Sequence, residues 1–217
     1  MKHNFKLFIF DMDGTLVDTE GLYVQSLIAT CLDRDFELEQ EAANMMIYGK
    51  AWSSIYADME LLNPGLFKSE DDVKLSSSVH FDNLLKDRDP AIKPSVKLLK
   101  ELATENKVCI VSGSSREHIA HFIDLLDIAD DVDFYIGSED YSQGKPDPQC
   151  FLQAAAKVGV HPEECLVFED SNAGVTAAKN AGMYCVGFKC KENPQDISHT
   201  DLLLSCLSQF SFARITS

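Results

Sequence analysis

The chain has 217 residues, and its hydrophobic fraction of 45% and charged fraction of 25% are ordinary for a globular protein. Lys and Arg number 19 against 35 Asp and Glu, which gives a formal net charge of −16. Such an acidic surface repels the phosphates of nucleic acids and anionic lipids, so we expect neither nucleic acid nor membrane as a partner. Moreover, no apolar run approaches the roughly 18 residues that a membrane-spanning helix needs.

The seven cysteines are scattered along the chain, and no Cys-x-x-Cys pair occurs. The first residues lead directly into an apolar run, which leaves no room for a secretory leader. We therefore expect a cytoplasmic protein whose thiols are reduced and lie in or near the core.

Five short apolar runs are typical of the buried strands of a parallel sheet. They are Lys6–Phe10, Val108–Val111, Phe134–Ile136, Cys165–Phe168 and Tyr184–Phe188. Helical patterns accompany the later runs, at residues 95–104, 116–126, 148–158 and 172–181. Because strands and helices alternate from residue 107 to 188, the sequence predicts an α/β fold with a doubly wound parallel sheet.

Residues 17–89 do not follow this alternation. They contain amphipathic stretches at 19–33, 39–48, 52–62 and 70–86, without a convincing strand pattern. We therefore predict a helical cap domain at 17–89, inserted into an α/β core domain formed by 1–16 and 90–217. A last helical pattern near 200–209 predicts one more helix after the sheet.

Polar residues follow the predicted strands at the edge where ligands of open α/β sheets bind. The four stretches are Asp11-Met12-Asp13-Gly14-Thr15, Ser112-Gly113-Ser114-Ser115, Gly144-Lys145-Pro146-Asp147-Pro148 and Glu169-Asp170. Several carboxylates in a small space repel one another unless a cation neutralises them. Because hard oxygen ligands favour Mg²⁺, these carboxylates predict a magnesium site.

The serine-rich stretch has the features of a phosphate site. Ser114 and Glu117 have the spacing of a capping box, which predicts the start of a helix at this turn. Free N–H groups there, together with the Ser112 hydroxyl, would bind a phosphate. Lys145 would supply a positive charge to the same phosphate and to a nucleophilic carboxylate.

Together the four motifs closely resemble the haloacid dehalogenase superfamily, in particular its β-phosphoglucomutase and phosphoglycolate phosphatase-like members with a helical cap. Residues 11–17, Asp-Met-Asp-Gly-Thr-Leu-Val, are similar to the first motif of that superfamily. Ser112 resembles the second motif, Lys145 the third, and Glu169-Asp170 the fourth. The order and spacing of these motifs cover residues 6 to about 188, most of the chain.

The resemblance implies a mechanism. Asp11 would attack the substrate phosphorus and form an aspartyl phosphate, while Asp13 would act as general acid and then as general base. Mg²⁺ would be held by Asp11, the backbone carbonyl of Asp13, Glu169 and Asp170. The phosphoryl oxygens would be bound by Ser112, Gly113, Ser114 and Lys145. Arg116, just past the phosphate turn, is a further candidate for contact with the distal part of the substrate.

Alternative activities within the superfamily are less well matched. The dehalogenase branch lacks the second aspartate, which is present here as Asp13. The β-phosphoglucomutase branch carries a histidine at the cap hinge where this chain has Tyr23, and basic cap residues that are altered in the stretch 48–52. Lys50 is a conceivable Schiff-base lysine for the phosphonate-cleaving branch, but its surroundings do not resemble that branch.

The sequence thus predicts a Mg²⁺-dependent phosphatase of a small phosphorylated metabolite, such as a sugar phosphate or phosphoglycolate, acting as a monomer or small homo-oligomer. The alternatives are a hexose-phosphate mutase and a non-catalytic protein that responds to phosphate.

His118 and His121 lie three residues apart, but no third metal ligand is evident. We interpret them as surface or partly packed residues.

Overall fold

The computed structural model describes residues 4–50, 52–189 and 194–215. The strands are Leu7–Phe10 (β1), Lys107–Val111 (β2), Phe134–Ile136 (β3), Cys165–Glu169 (β4), Tyr184–Phe188 (β5) and Leu202–Leu204 (β6). The helices are Thr19–Leu32 (α1), Gln40–Ile47 (α2), Trp52–Leu62 (α3), Glu70–Asp87 (α4), Lys93–Ala103 (α5), Arg116–Leu125 (α6), Gln149–Val158 (α7) and Asn172–Asn180 (α8).

The strands form one six-stranded sheet in the order β3-β2-β1-β4-β5-β6, and every pairing in it is parallel. The first strand lies near the middle, because Leu7 is in register with Lys107 on one side and with Cys165 on the other. All four residues of β1 are buried, which explains why its sequence is apolar without alternation.

Both faces of the sheet are covered. On one face, Leu7 and Ile9 belong to a buried cluster with Phe151 of α7 and Val175 of α8. On the other face, aromatic rings stack and meet edge to face in the pairs Phe10–Phe168, Phe168–Phe210, Phe210–Phe212 and Phe8–Phe212. Neighbouring residues of β1 therefore serve opposite faces.

The chain divides into two compact units. The described residues of Met1–Val17, Ala91–Cys190 and Asp196–Ser217 form the core unit, which contains the sheet. Those of Asp18–Pro90 and Lys191–Gln195 form the cap unit, which contains α1 to α4. The predicted α/β fold with an inserted helical cap is confirmed, while the predicted domain bounds stay a prediction.

The cap unit has a hydrophobic core of its own. Leu27, Met59 and Phe67 are almost fully buried within it. Tyr23 stacks on Phe81 with 4.3 Å between ring centroids and meets Trp52 edge to face at 5.5 Å. Among the described helices, including the 18-residue α4, none is both long and apolar enough to cross a membrane.

The prediction of a helix near residues 200–209 is wrong. Leu202–Leu204 instead forms the edge strand β6, in register with Val186–Phe188 of β5. A short 3-10 turn follows at Leu207–Gln209. A run of three leucines fits a strand as well as a helix, and the open edge of β5 offered it hydrogen-bond partners.

Six of the cysteines lie among the described residues, and all six are free thiols. All but Cys206 are buried, while Cys190 lies outside the described residues. Burial raises the pKa of Cys31 to about 11 and that of Cys165 to about 12. These two thiols therefore stay protonated and unreactive at neutral pH.

Candidate active site

The chemistry-bearing residues begin where three neighbouring strands end. Asp11 follows β1, Ser112 follows β2, and Asp170 follows β4. The Asp11 N–H donates to the Phe168 carbonyl at 3.0 Å, and the Ser112 N–H donates to the Ile136 carbonyl at 3.1 Å. Because sheet-like hydrogen bonds continue past β1 and β2, the backbone of both residues is fixed.

Lys145 joins two carboxylates at the centre of this edge. Its Nζ lies 2.6 Å from Oδ1 of Asp11 and 2.6 Å from Oε1 of Glu169, and donates to the Val111 carbonyl at 3.1 Å. The ring of Phe151 lies below the ammonium, 5.1 Å away. The three charged side chains are almost completely buried, so their mutual attraction is weakly screened by water.

Burial also shifts the pKa values of this group. Burial, followed by the charge of Glu169, raises the pKa of Asp11 well above its usual value, although Lys145 lowers it in part. Burial opposes the charge on Lys145, but the carboxylates of Asp11 and Glu169 outweigh it and hold the Lys145 pKa well above its usual value. Two buried carboxyl groups therefore share one lysine, and their mutual repulsion favours the uptake of a proton or a cation.

Asp13, the second predicted carboxylate of the first motif, is held by the segment that follows β2. Its Oδ2 accepts hydrogen bonds from the hydroxyls of Ser114 at 2.7 Å and Ser112 at 3.1 Å. Its Oδ1 lies 3.4 Å from Nε2 of His118. The structure thus brings Ser112 and Ser114 to Asp13, and the histidine contact was not foreseen from the sequence.

The turn after Asp13 fits closely around Asp170. Gly14 has a φ of +81°, and a Cβ at this position would overlap the Asp170 carboxylate. Glycine is therefore required both for the turn and for the close approach. The next residue, Thr15, donates its hydroxyl to Oδ1 of Asp170 at 3.0 Å, and both residues are buried.

Glu169 has no exposed surface, and its two oxygens have different partners. Oε1 faces Lys145, while Oε2 accepts from the Asp170 N–H, the Ser171 N–H and the Ser171 hydroxyl at 2.9–3.1 Å. Gly174 in the first turn of α8 makes room for it, because a Cβ there would overlap the carboxylate. The glutamate is therefore fixed in one orientation.

Two residues position the loop that carries Lys145. The side-chain oxygen of Gln149 accepts from the Ser142 N–H, the Ser142 hydroxyl and the Gln143 N–H at 2.9–3.1 Å. Tyr141 donates its hydroxyl to the Ser112 carbonyl at 3.1 Å, which ties this loop to the end of β2. Neither Tyr141 nor Gln149 belongs to a recognisable motif, so no sequence pattern indicated their roles.

The start of α6 differs in detail from the predicted capping box. Ser115, not Ser114, is the N-cap, and its hydroxyl accepts from the His118 N–H at 3.3 Å. The hydroxyl of Ser114 donates to Asp13 instead. The N–H of Ser114 donates to the Ser112 hydroxyl at 3.0 Å. Gly113 borders open space: among the described residues, apart from its two chain neighbours, no heavy atom lies within 4 Å of where its Cβ would be.

Arg116 is engaged within the core unit. Its guanidinium lies 2.7 Å from the Asp140 carboxylate and 4.5 Å above the centre of the Tyr135 ring. The backbone N–H of Arg116 donates to the carboxylate of Glu139. The structure therefore places the guanidinium on the segment after β3, and contact with a substrate stays a prediction.

The predicted magnesium ligands fit a divalent cation. Asp11, Glu169 and Asp170 each offer a carboxylate oxygen, and these atoms lie within 4.8 Å of one another. The group is buried and has three carboxyl groups beside the one ammonium of Lys145, and its donors are all hard oxygens. The carboxylate of Asp13 is directed to the two serines, and the use of its backbone carbonyl as a metal ligand stays a prediction.

A model of haloacid dehalogenase-like hydrolases matches residues 5–182, which is most of the chain. The chain belongs to the haloacid dehalogenase-like hydrolase family. The matched range contains all four predicted motifs, from Asp11 to Asp170. The resemblance stated from the sequence is thereby confirmed.

Two relatives with named activities cover most of this haloacid dehalogenase-like protein. The β-phosphoglucomutase of Bacillus subtilis is 32% identical over 195 residues, 84% of this chain and 82% of the relative. The validoxylamine A 7′-phosphate phosphatase of Streptomyces hygroscopicus subsp. limoneus is 26% identical over 214 residues, 97% of this chain and 98% of the relative.

A crystal structure from Haemophilus somnus, described as a predicted phosphoglycolate phosphatase, superposes with a TM-score of 0.79 at 20% identity. The superposition covers 94% of this chain and 96% of the other, and it supports the fold. The prediction that this haloacid dehalogenase-like protein is an enzyme, a phosphoric monoester hydrolase, is also confirmed. It rests on the family match and on relatives named as phosphatases.

Proposed function

We propose that this protein is a Mg²⁺-dependent phosphatase that hydrolyses a small phosphorylated metabolite through an aspartyl phosphate on Asp11. The observation that carries the proposal is the ion-pair group in which Lys145 joins Asp11 and Glu169 beside Asp170, at the carboxyl ends of the central strands. Such a group combines a fixed nucleophile, a cation for the phosphoryl oxygens and a set of metal ligands.

In the first half-reaction, a carboxylate oxygen of Asp11 attacks the substrate phosphorus, and the bond from phosphorus to the ester oxygen breaks. Asp13 gives its proton to the departing oxygen. Lys145 holds Oδ1 of Asp11 at 2.6 Å and so orients the attacking carboxylate. The same ammonium stabilises the negative charge on the transferring phosphoryl group.

In the second half-reaction, water attacks the phosphorus of the aspartyl phosphate, and Asp13 takes a proton from that water. The Asp11 carboxylate is regenerated as inorganic phosphate leaves. Asp13 is suited to both roles because the hydroxyls of Ser112 and Ser114 fix one of its oxygens. Gly113, next to open space, offers its N–H to the phosphate.

Mg²⁺ would be held by the carboxylates of Asp11, Glu169 and Asp170, together with the backbone carbonyl of Asp13. When bound, the ion neutralises the phosphate and the crowded carboxylates. Thr15 and Ser171 support this set, since each donates a hydroxyl to one of the acidic residues at 2.9–3.0 Å. The raised pKa of Asp11 without a metal is consistent with a site that requires a cation.

The substrate is proposed to be a small monophosphate, such as a sugar phosphate or phosphoglycolate. The names of the two relatives, a validoxylamine A 7′-phosphate phosphatase and a phosphoglucomutase, support a small phosphorylated molecule. The net charge of −16 disfavours large polyanions. We further propose a cytoplasmic enzyme that is a monomer or small homo-oligomer.

A hexose-phosphate mutase is the second candidate, favoured by the 32% identity to a β-phosphoglucomutase. Two features of the cap unit weigh against it. Tyr23, at the position of the mutase histidine, is packed between Phe81 and Trp52. Lys50 is paired with Asp58 at 2.6 Å, so its charge is already compensated. A mutase needs cations to bind a second phosphate.

The test is phosphate release from a panel of phosphoesters, with and without Mg²⁺. The panel contains phosphoglycolate, several sugar phosphates and β-glucose 1-phosphate, and Asp11→Asn is the control. We expect Mg²⁺-dependent release that Asp11→Asn loses. Conversion of β-glucose 1-phosphate to the 6-phosphate without release would establish the mutase. A panel that showed neither phosphate release nor conversion of any substrate would favour a non-catalytic phosphate-responsive protein.

A further inference from the structure

The ring of His118 lies against the carboxylate proposed to be the general acid and base. Nε2 of His118 is 3.4 Å from Oδ1 of Asp13, while Oδ2 of the same carboxylate accepts from Ser112 and Ser114. Side chains of one segment, residues 112–118, therefore contact both oxygens of Asp13. The side chains of His118 and Asp13 are both about three-quarters buried, at 26% and 28% exposure, so the contact is partly shielded from water.

Both the backbone and the ring of His118 are held in position. Its N–H donates to the hydroxyl of Ser115, the N-cap of α6, so its backbone belongs to a well-defined first helical turn. Its ring meets Phe122 edge to face at 4.8 Å, and Phe122 is almost fully buried. Because residues four apart lie on the same helix face, Phe122 supports the ring that contacts Asp13.

We propose that His118 is a positioning residue that fixes the carboxylate plane of Asp13 for proton transfer; the inference rests on the proposed function of Asp13. Both hydroxyls contact the same oxygen, Oδ2. The contact from Nε2 restrains the other oxygen, Oδ1, and so adds to what opposes rotation of the carboxylate about its Cβ–Cγ bond. His118 itself neither gains nor loses a proton, since the protons pass between Asp13, the departing oxygen and the attacking water.

The chain provides a matched control in His121. This residue lies on the same helix, is exposed, and packs its ring on the same Phe122 at 5.2 Å. His121→Phe and His118→Phe both replace an imidazole by a ring that can pack on Phe122. Only the second substitution removes the nitrogen beside Asp13. His118→Gln places a polar amide at a similar distance from the helix and is the conservative variant.

The experiment compares kcat/KM for two substrates, which reports the steps up to formation of the aspartyl phosphate. One is the alkyl phosphate that releases phosphate fastest in the panel, whose departing oxygen needs a proton. The other is p-nitrophenyl phosphate, whose departing phenolate needs none. We expect His118→Phe to lower kcat/KM for the alkyl phosphate about tenfold, because a less restrained Asp13 transfers its proton less efficiently, and for p-nitrophenyl phosphate less than about twofold.

His118→Gln should recover most of the loss, and His121→Phe should leave both values unchanged. An equal loss on both substrates would mean a purely structural effect and would overturn the proposal, as would no loss on the alkyl phosphate. Failure of the proposed function is recognised separately, because the unsubstituted enzyme would then release no phosphate from either substrate.

A spectroscopic measurement tests the contact without turnover. In protein labelled with ¹⁵N-histidine, the Nε2 signal of His118, assigned with His118→Phe, should shift in Asp13→Ala. The His121 signal should remain in place. An unchanged His118 signal would show that the ring does not bind Asp13, and it would overturn the proposal even if the enzyme turned over no tested phosphoester.

Discussion

Nζ of Lys145 lies 2.6 Å from Oε1 of Glu169, a carboxylate with no exposed surface. Charges removed from water in this way are stable only while they compensate one another. Because Lys145 also holds Asp11, a single ammonium compensates two carboxylates that belong to different motifs. The stability of the protein and the orientation of the proposed nucleophile therefore depend on the same side chain.

Replacing this lysine should be costly for folding as well as for turnover. In Lys145→Met the carboxylates of Asp11 and Glu169 lose their counter-charge, so we expect the free energy of unfolding to fall by about 3 kcal/mol. The matched control is Lys179→Met, which breaks the more exposed pair with Asp201 and should cost less than about 1 kcal/mol. Denaturant titrations in the presence of a chelator measure both; equal losses would contradict the argument.

Asp11→Asn should stabilise the protein at neutral pH when no metal is present. Burial and Glu169 raise the pKa of Asp11 in the folded state. The unfolded state therefore binds fewer protons between the ordinary and the raised pKa, and stability falls as pH rises through that window. We expect Asp11→Asn to have the higher Tm near pH 7.5. The advantage should shrink as the pH falls towards about 4, the ordinary range of an aspartate.

The measurement is thermal unfolding of both proteins over that pH range in EDTA. A wild-type protein that is more stable than Asp11→Asn at pH 7.5 would show that Lys145 outweighs burial and Glu169. In that case the pKa of Asp11 would be lowered, and the proposed need for a cation would lose its electrostatic support.

Thr15 should affect the binding of Mg²⁺ because its hydroxyl donates to a carboxylate that is proposed to bind the ion. It donates to Oδ1 of Asp170 at 3.0 Å in a buried setting. Thr15→Val removes this bond with little change in shape, and we expect Mg²⁺ affinity to fall about tenfold. The rise in Tm with Mg²⁺ concentration measures the affinity. Asp170→Asn should abolish that rise, and Thr104→Val, at an exposed position, should leave it unchanged.

Gly174→Ala should destabilise the protein, although alanine is the better residue for an ordinary helix position by about 1 kcal/mol. The added Cβ would overlap the carboxylate of Glu169, whose contacts with Lys145 and Ser171 prevent it from moving away. We expect a loss of about 2 kcal/mol, as for other overpacked sites, together with reduced kcat. A stabilised variant in denaturant titrations would show that Glu169 is more mobile than its hydrogen bonds indicate.

The strands and the motif residues could be predicted from the sequence because both depend on local pattern. A fully buried strand such as β1 must be apolar at every position, and the first polar residue after it, Asp11, marks its end. Parallel strands place their carboxyl ends at one edge, so Asp11, Ser112 and Asp170 could be grouped without a structure.

The contacts of these residues could not be predicted in the same way. Ser114 has the spacing of a helix cap, but its hydroxyl binds Asp13, and Ser115 takes the capping position. His118 was interpreted as a surface or partly packed residue because no metal-ligand pattern included it. Its approach to Asp13 depends on the angle at which α6 leaves β2, and sequence spacing carries no information about that angle.

The central position of β1 has a consequence for the order in which the protein can assemble. Leu7 is made before both of its partners, since Lys107 and Cys165 emerge from the ribosome about 100 and 160 residues later. Until then the four apolar residues of β1 have no strand beside them, whereas the helices α1 to α4 can already pack together. Sheets with such distant pairings form slowly, so the nascent core depends on being kept from aggregating until β4 is complete.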